Sequence, residues 1–531
     1  STPKPSSAAS DVYKRQTQHY LPYAGYNSDF TWNFGQDSTF AGAKTAQGNT
    51  DAGGIGDFYY PVPTGFKAIC TKNMPDPSIK LPNTHFDSLL YSGNGAASRA
   101  ITGLDFAPDW VWIKSRNQTY YHQSHDSVRG VAAGTLFVNV KLAENTNYVL
   151  DSLDSNGFTT SSDTSDEQNA NSVNYVVWNW NAGDTDGKTY TVKVVSDSGN
   201  KYRFDDYGTS AVTLDLAEGG TYIFDQSDSS NATHPLRFYT AADKTGGEYT
   251  TGVTTSGTAG SSGATVTITI AASAPTLYYQ CSSHAGMGGQ INTNSTLGSS
   301  NFDGAIQSVV KTNATAGFSI TTYTGTGSST TVGHGLGVKP DAIIIKCRSN
   351  TDNWMVYHNQ KNAGVDPEDY YLELNSTSAG PNSTVMLNDT APTSTSVTIG
   401  SDNSVNGSSR TYVMYCFSGV VGYSKFGGYI GNGNADGAFI FTGFRPAWIM
   451  LKRTDTSNNW HIADNKRQNP FNVVTAQIYP NLSIAEVAQS DLDIVSNGFK
   501  IRNSAAFENA SGGTYIYLAF AESPFKYARA R

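Results

Sequence analysis

A short apolar run behind a proline turn occurs three times in this chain, and that repetition constrains its fold more than any other feature. The copies are Trp110-Val111-Trp112-Ile113-Lys114 after Pro108, Ala342-Ile343-Ile344-Ile345-Lys346 after Pro340, and Trp448-Ile449-Met450-Leu451-Lys452 after Pro446. Each follows a Tyr-x-Gly-x-Gly turn, starting at Tyr91, Tyr323 and Tyr429. Each precedes an aromatic-His pair, Tyr121-His122, Tyr357-His358 or Trp460-His461. Each unit then closes on an aromatic strand, opening at Tyr175, Tyr412 or Tyr515, and two units share Ser-Asn-Gly-Phe, at Ser155 and Ser496. Landmarks in one order at nearly equal separations mean domain-sized repeats. Proline cannot sit in mid-sheet, so a strand is expected just after it. Consecutive Trp, Val and Ile predict a strand covered on both faces, and the terminal Lys reads as its exit into solvent.

Composition agrees with an all-β chain. Its 531 residues include 52 Gly, 31 Tyr and 24 Phe, with abundant Ser, Thr and Asn, as many short strands joined by turns require. Only 15% of residues are charged, against about 25% for soluble domains. A net charge of −9 without a basic cluster argues against nucleic acid or anionic lipid as partner. No segment reaches the length of a membrane span, so no membrane insertion is expected. Cys70, Cys281, Cys347 and Cys416 show no framework spacing, and Cys347 and Cys416 read as small buried hydrophobes. Sequons such as Asn117, Asn231 and Asn388 are expected by chance in so Asn-rich a chain.

In chain order, residues 1–16 are a polar tail in which Ser10 to Gln16 resembles a translated library adapter. No apolar signal segment appears, and the natural N-terminus is expected upstream. Residues 17–73, with Asn33-Phe34-Gly35-Gln36 and Gly65-Phe66-Lys67-Ala68, resemble the last strands of a SPRY-like, concanavalin-type sandwich. A Pro-rich linker spans 74–84. β-Sandwich repeats follow at 85–183, 317–423 and 424–531, the last two almost without a linker. In the first, His125-Asp126-Ser127-Val128-Arg129-Gly130 carries catalytic residue types. A contiguous loop cannot show the convergence a triad needs, so a hydrogen-bonded surface loop is expected.

The three units, the Lys425-Phe426-Gly427-Gly428-Tyr429 junction and the Ser523-Pro524-Phe525-Lys526-Tyr527 end resemble a module repeated in marine tailed-phage tail and fibre proteins. That resemblance implies lectin-like jelly-roll sandwiches in a virion structural protein. Its implied partners are other virion proteins and host-surface glycans. It also implies a homo-oligomer, trimers being usual for phage fibres, although no heptad stretch marks one.

Residues 189–293 differ. Alternating strands such as Tyr190-Thr191-Val192-Lys193-Val194 lead to Leu277-Tyr278-Tyr279-Gln280-Cys281, and Cys281, His284 and Met287 follow as Cys-x-x-His-x-x-Met, with His234 upstream. A thiolate, two imidazoles and a weak axial thioether form the ligand set of a type 1 copper centre. The pattern resembles the cupredoxins, a Greek-key β-barrel fold, with the loop spacing of the amicyanin type. The resemblance implies copper as cofactor, His234 and His284 as imidazole ligands, Cys281 as thiolate and Met287 as axial ligand. Pro235 stands after His234 where cupredoxins usually carry an Asn that pins the copper loop. Zinc is the alternative metal, since it takes Cys and His but not Met.

Three functions compete: a structural and adhesive virion component, a copper redox protein on a stalk, and a glycan depolymerase. The last needs two convergent carboxylates. Asp and Glu are scattered, no pair stands out, and no catalytic residue is assigned. The first reading is the expected one.

Overall fold

The computed structural model describes residues 33–162, 167–183, 187–294, 298–467 and 472–528, and its regular structure is almost entirely strand. The expected tail at 1–16, and Phe30, Thr31 and Trp32, lie outside the described residues. The chain divides into two compact bodies, 1–76 and 77–531.

In the first body, residues 33–73 were expected as sandwich strands but form turns, joined by the single bridge Asn49↔Phe58. A strand needs a neighbour for its backbone groups, and here side chains supply the partners instead. The Asp51 carboxylate accepts from the backbone of Gly53, Ile55 and Ala68 and from Asn73. These bonds hold its pKa down at about 2 despite the opposing cost of burial.

The second body holds the three repeats as two-sheet sandwiches. The expected linker is partly built into them, with Ile79 and Pro82 buried. In unit one the main sheet runs Phe86–Ser92, Asn174–Trp180, Trp110–Ser115, Gln123–Asp126, Leu136–Phe137. Unit three repeats the order with Ser424–Ile430, Thr514–Pro524, Phe444–Arg453 and Trp460–Asp464. Unit two keeps it with Phe318–Thr324, Thr411–Phe417, Ala342–Cys347, Trp354–His358 and Leu372–Glu373. It also extends the sheet with Ser299–Asn301 and Ser308–Asn313, so it begins well before residue 317. The repeated strand starts after proline in units one and two. In unit three it runs through Pro446, which a register shift on either side accommodates.

The repeated strand is buried on both faces, as expected, and the second cover is the other units. Val111 and Ile113 point into unit one's own sandwich, while Trp110 and Trp112 enter a core shared by all three units. Ile343 and Ile345 are set against Ala342 and Ile344 in the same way, and Ile449 and Leu451 against Trp448 and Met450. Trp110 stacks on Tyr415 of unit two at 4.4 Å, and Trp180 meets Trp448 of unit three edge-on at 5.7 Å. At equivalent places, opposite Trp180, Phe520 and Phe417, stand the large Trp110 and Trp448 and the small Ala342.

The terminal lysines do not reach solvent: Lys114, Lys346 and Lys452 are 0% exposed. Each crosses to a neighbour's backbone carbonyl, in cyclic order. Lys114 donates to Ser483 of unit three (3.0 Å), Lys346 to Lys141 of unit one (3.0 Å) and Lys452 to Thr377 of unit two (3.1 Å). Burial pulls their pKa values down to about 8, 8 and 7. The stretch His125 to Arg129 is likewise buried rather than a surface loop. Asp126 pairs with Arg129 and accepts from Tyr415 of unit two at 2.7 Å. Asp464 pairs with Arg467 and accepts from Trp178 of unit one at 3.0 Å. A surface-loop reading failed there because the loop's solvent is replaced by the next unit.

The aromatic-His pairs turn out not to be equivalent. By register, His122 lies two residues before Ser124, and Ser124 pairs with Trp112. The corresponding residues are Trp354, before Val356, and Trp460, before Ile462. The Tyr-x-Gly-x-Gly turns do correspond. A Cβ on their first glycine (Gly93, Gly325, Gly431) would collide with the carbonyl of Ala170, Gly407 or Ala510. Their second glycine takes φ of +70°, +80° or +68°.

The insert, at 187–294, has its own core. A five-stranded sheet (Asn200–Phe204, Gly187–Ser196, Thr221–Asp225, Thr265–Thr269, Val253–Ser256) faces a four-stranded one (Leu214–Ala217, Gly289–Asn294, Leu277–Cys281, Leu236–Tyr239). The expected barrel is therefore an open two-sheet sandwich, because no hydrogen-bonded ladder among the described residues joins the sheets' edges. Phe302 of unit two plugs one end of this core.

Candidate metal centre

The strand Leu236–Tyr239 pairs antiparallel with Leu277–Cys281 in a register that sets Leu236 opposite Cys281. His234, two residues before Leu236, therefore arrives beside the end of the cysteine strand. It is held there by a tight turn: its N–H donates to the Asn231 carbonyl at 2.8 Å, and Thr233 sits at φ +66°. After Cys281 the chain turns back, and His284 folds over the sulfur. The Cys281 Sγ lies 3.5 Å from His284 Nδ1 and 3.8 Å from His234 Nδ1. One ligand atom from each of the three falls within 4.8 Å of the others.

Such separations suit ligands lying about 2.0–2.3 Å from a common metal, the range for imidazole nitrogen and thiolate sulfur. The donor set therefore fits a soft or borderline transition metal. Cys281 is buried, His234 half-buried and His284 exposed, so one imidazole edge meets solvent. Burial, then the neighbouring His284, lowers the His234 pKa, which favours the neutral imidazole that a metal needs. Met287, the fourth expected ligand, is 1% exposed and belongs to the apolar core that also holds Cys281.

The loop is pinned by residues that the sequence pattern did not single out. Gln280 accepts from the Met287 N–H at 2.9 Å and donates to Asp243 at 2.6 Å, and Asp243 accepts from the Gly286 N–H at 2.8 Å. On the other side, Gln226 donates to the His234 carbonyl at 3.0 Å and accepts from Leu236 N–H at 2.9 Å, while Tyr202 donates to the same carbonyl at 2.8 Å. Together these bonds hold the loop from Cys281 to Met287 and the turn at His234 in place. Gln280, next to the cysteine, carried a positional signal. Asp243 and Gln226 carried none, since only the fold brings them close.

The repeats also hide a motif. Asn169, Asn406 and Asn509 each lie six residues before the closing tyrosine, and each is buried under its glycine turn. Their side-chain oxygens accept from Asn94, Thr326 and Asn432 N–H (3.1, 2.8 and 2.9 Å), and their amides donate to Ala96, Ser328 and Asn434 carbonyls. The common spacing is visible in the sequence, but the partners of each asparagine are backbone groups that only the fold brings near.

A carboxyl pair does come close in unit two, where neighbouring Asp389, then burial, raises the Asp369 pKa.

A family model described as Domain of unknown function (DUF7483) matches residues 81–221 and 291–524. The chain belongs to the DUF7483 family. The gap in the match falls inside the insert, so all four expected ligands lie outside the DUF7483 region. No curated protein and no solved structure gave a significant match.

Proposed function

We propose that this DUF7483 protein is a structural and adhesive component of a tailed-phage virion, with the three-unit body as scaffold. The observation that carries the reading is the shared core with its cyclic lysine contacts. It makes one stiff body of three sandwiches, commits the repeated residues to cohesion and leaves only loops and outer faces for glycan contact. Immunogold labelling of purified particles tests it. Label at a fixed position on the tail or fibre supports the reading, and protein found only in the soluble fraction of lysed host cells refutes it.

A second reading concerns the insert alone and rests on the convergence of Cys281 with His234 and His284. In it the insert is a cupredoxin-like copper site. Copper would supply one-electron chemistry when bound. Cys281 and the two imidazoles would hold it, Gln280 and Asp243 would fix the loop, and exposed His284 would provide the edge toward a redox partner. Titration with Cu(II) should develop an intense visible thiolate–copper band at one equivalent. Tight zinc binding without that band would make the site structural.

A further inference from the structure

Where the repeated strand of unit one begins, a carboxylate and an amine from different units are enclosed together. Asp109 is 2% exposed and Lys311, on the leading hairpin of unit two, 4%. The Lys311 Nζ lies 3.3 Å from Asp109 Oδ1. Two further donors converge on the carboxyl group: Ser127 Oγ on Oδ1 and the Ala182 N–H on Oδ2, each at 2.7 Å. The backbone N–H of Asp109 donates to the Trp180 carbonyl at 2.8 Å, which fixes the strand end. Next to Asp109 in the chain, Trp110 stacks on Trp180 at 4.4 Å and on Phe318 at 6.1 Å within the shared core.

The arrangement is particular to unit one. Asp341, at the same place in unit two, accepts from the side-chain amide of Asn359 and the N–H of Gly419. Unit three has Ala447 there.

We infer that Lys311 and Asp109 form an intramolecular isopeptide bond, a self-made covalent staple between units one and two. Transfer of one proton within the pair turns the ammonium and the carboxylate into a neutral amine beside a carboxylic acid. Consistent with that, burial raises the Asp109 pKa against the opposing pull of Lys311. The amine lone pair then attacks the carboxyl carbon, as lysine does in other covalent chemistry. As the N–C bond forms, the C=O π electrons move onto Oδ2, where the Ala182 N–H receives the developing charge. Collapse of the tetrahedral centre breaks the bond from carbon to Oδ1. That oxygen leaves as water, taking one proton from the carboxylic acid and one from the former amine. An amide and one water replace an amine and an acid, and nothing is oxidised or reduced. Holding the groups in contact supplies the effective concentration that the uncatalysed condensation lacks. The bond would close a loop from 109 to 311 that encloses the whole insert.

Intact-mass spectrometry of the purified full chain tests this. The expected chain is lighter than its sequence mass by one water, and protease digestion gives a branched peptide joining the Asp109 and Lys311 segments. Lys311→Arg keeps the positive charge but removes the nucleophile, and Asp109→Ala removes the acid. Either variant should restore the full sequence mass, read under denaturing conditions whether or not it folds. A wild-type chain that keeps its full mass after prolonged incubation, with linear peptides only, overturns the staple and leaves an ion pair.

Discussion

Cys281 and Trp112 are both wholly buried, yet they serve opposite purposes, and substitution should separate them. The Cys281 sulfur faces two imidazoles, while the insert core around it is built by residues such as Tyr190, Phe224, Phe238 and Tyr279. Cys281→Ser should therefore abolish any thiolate–copper band and leave the far-UV dichroism of the apo chain unchanged. Loss of the fold would show the cysteine to be a packing residue. Trp112 lies in the shared core and donates its indole N–H to His122 at 3.0 Å. Trp112→Ala removes a large buried side chain and should cost about 3–5 kcal/mol in denaturant unfolding. A change under about 0.5 kcal/mol would place it at the surface. At this scale the sequence was readable wherever residue type and spacing specify chemistry, as in Cys-x-x-His. It was silent on Asp243 and Gln226, whose roles arise from proximity in space.

The strand reading succeeded for its burial and failed for its end, and the reason lies in the repeated element. A lysine closing an apolar run normally reaches water because desolvating an ammonium is costly. Here the three lysines meet backbone carbonyls from a neighbouring unit, a partner no single-unit reading supplies. Their folded pKa values of about 7 to 8 lie below the ordinary 10.5. Between those values the unfolded chain binds more protons than the folded one, so stability rises with pH. Thermal unfolding should accordingly shift upward from pH 8 to about 9.5, before the tyrosines ionise. The buried tyrosines, whose folded pKa values are raised, for instance Tyr91 and Tyr429, reverse the trend above that. Replacing all three lysines by Met should flatten the rise, and a slope that survives the replacement would assign it elsewhere. The asparagine element gives a second check. Asn406→Ala takes the amide donor from the buried Gly400 carbonyl and the acceptor from the Thr326 N–H, and should cost about 1–3 kcal/mol for the buried carbonyl left unpaired.

Over the whole molecule, units two and three, joined almost without a linker, suggest a rigid rod or a shared interface, and the sequence alone does not choose between them. Repeat number and order are written in local patterns, whereas closure depends on which outer faces are apolar, and that requires knowing which strand face points inward. The alternation Trp110/Trp112 against Val111/Ile113 held this information, but both sets are apolar, so period alone could not sort them. Closure makes the units interdependent. Arg116 and Arg467 share Glu486 where units one and three meet, and Arg348 and Arg129 share Glu144 where units two and one meet. Removing unit three would uncover Trp180, Phe86 and Phe417, which now pack on Trp448 and Phe520, and would take the Ser483 carbonyl from Lys114 and the Asp464 carboxylate from the Trp178 indole N–H. A chain ending at residue 423 should therefore lose cooperative unfolding in units one and two, bind a hydrophobic dye and aggregate. The insert, with a separate core, should keep its own transition. Independent beads predict the reverse: a monomeric fragment whose two remaining sandwiches melt as they do in the full chain. Differential scanning calorimetry of the two proteins decides between them.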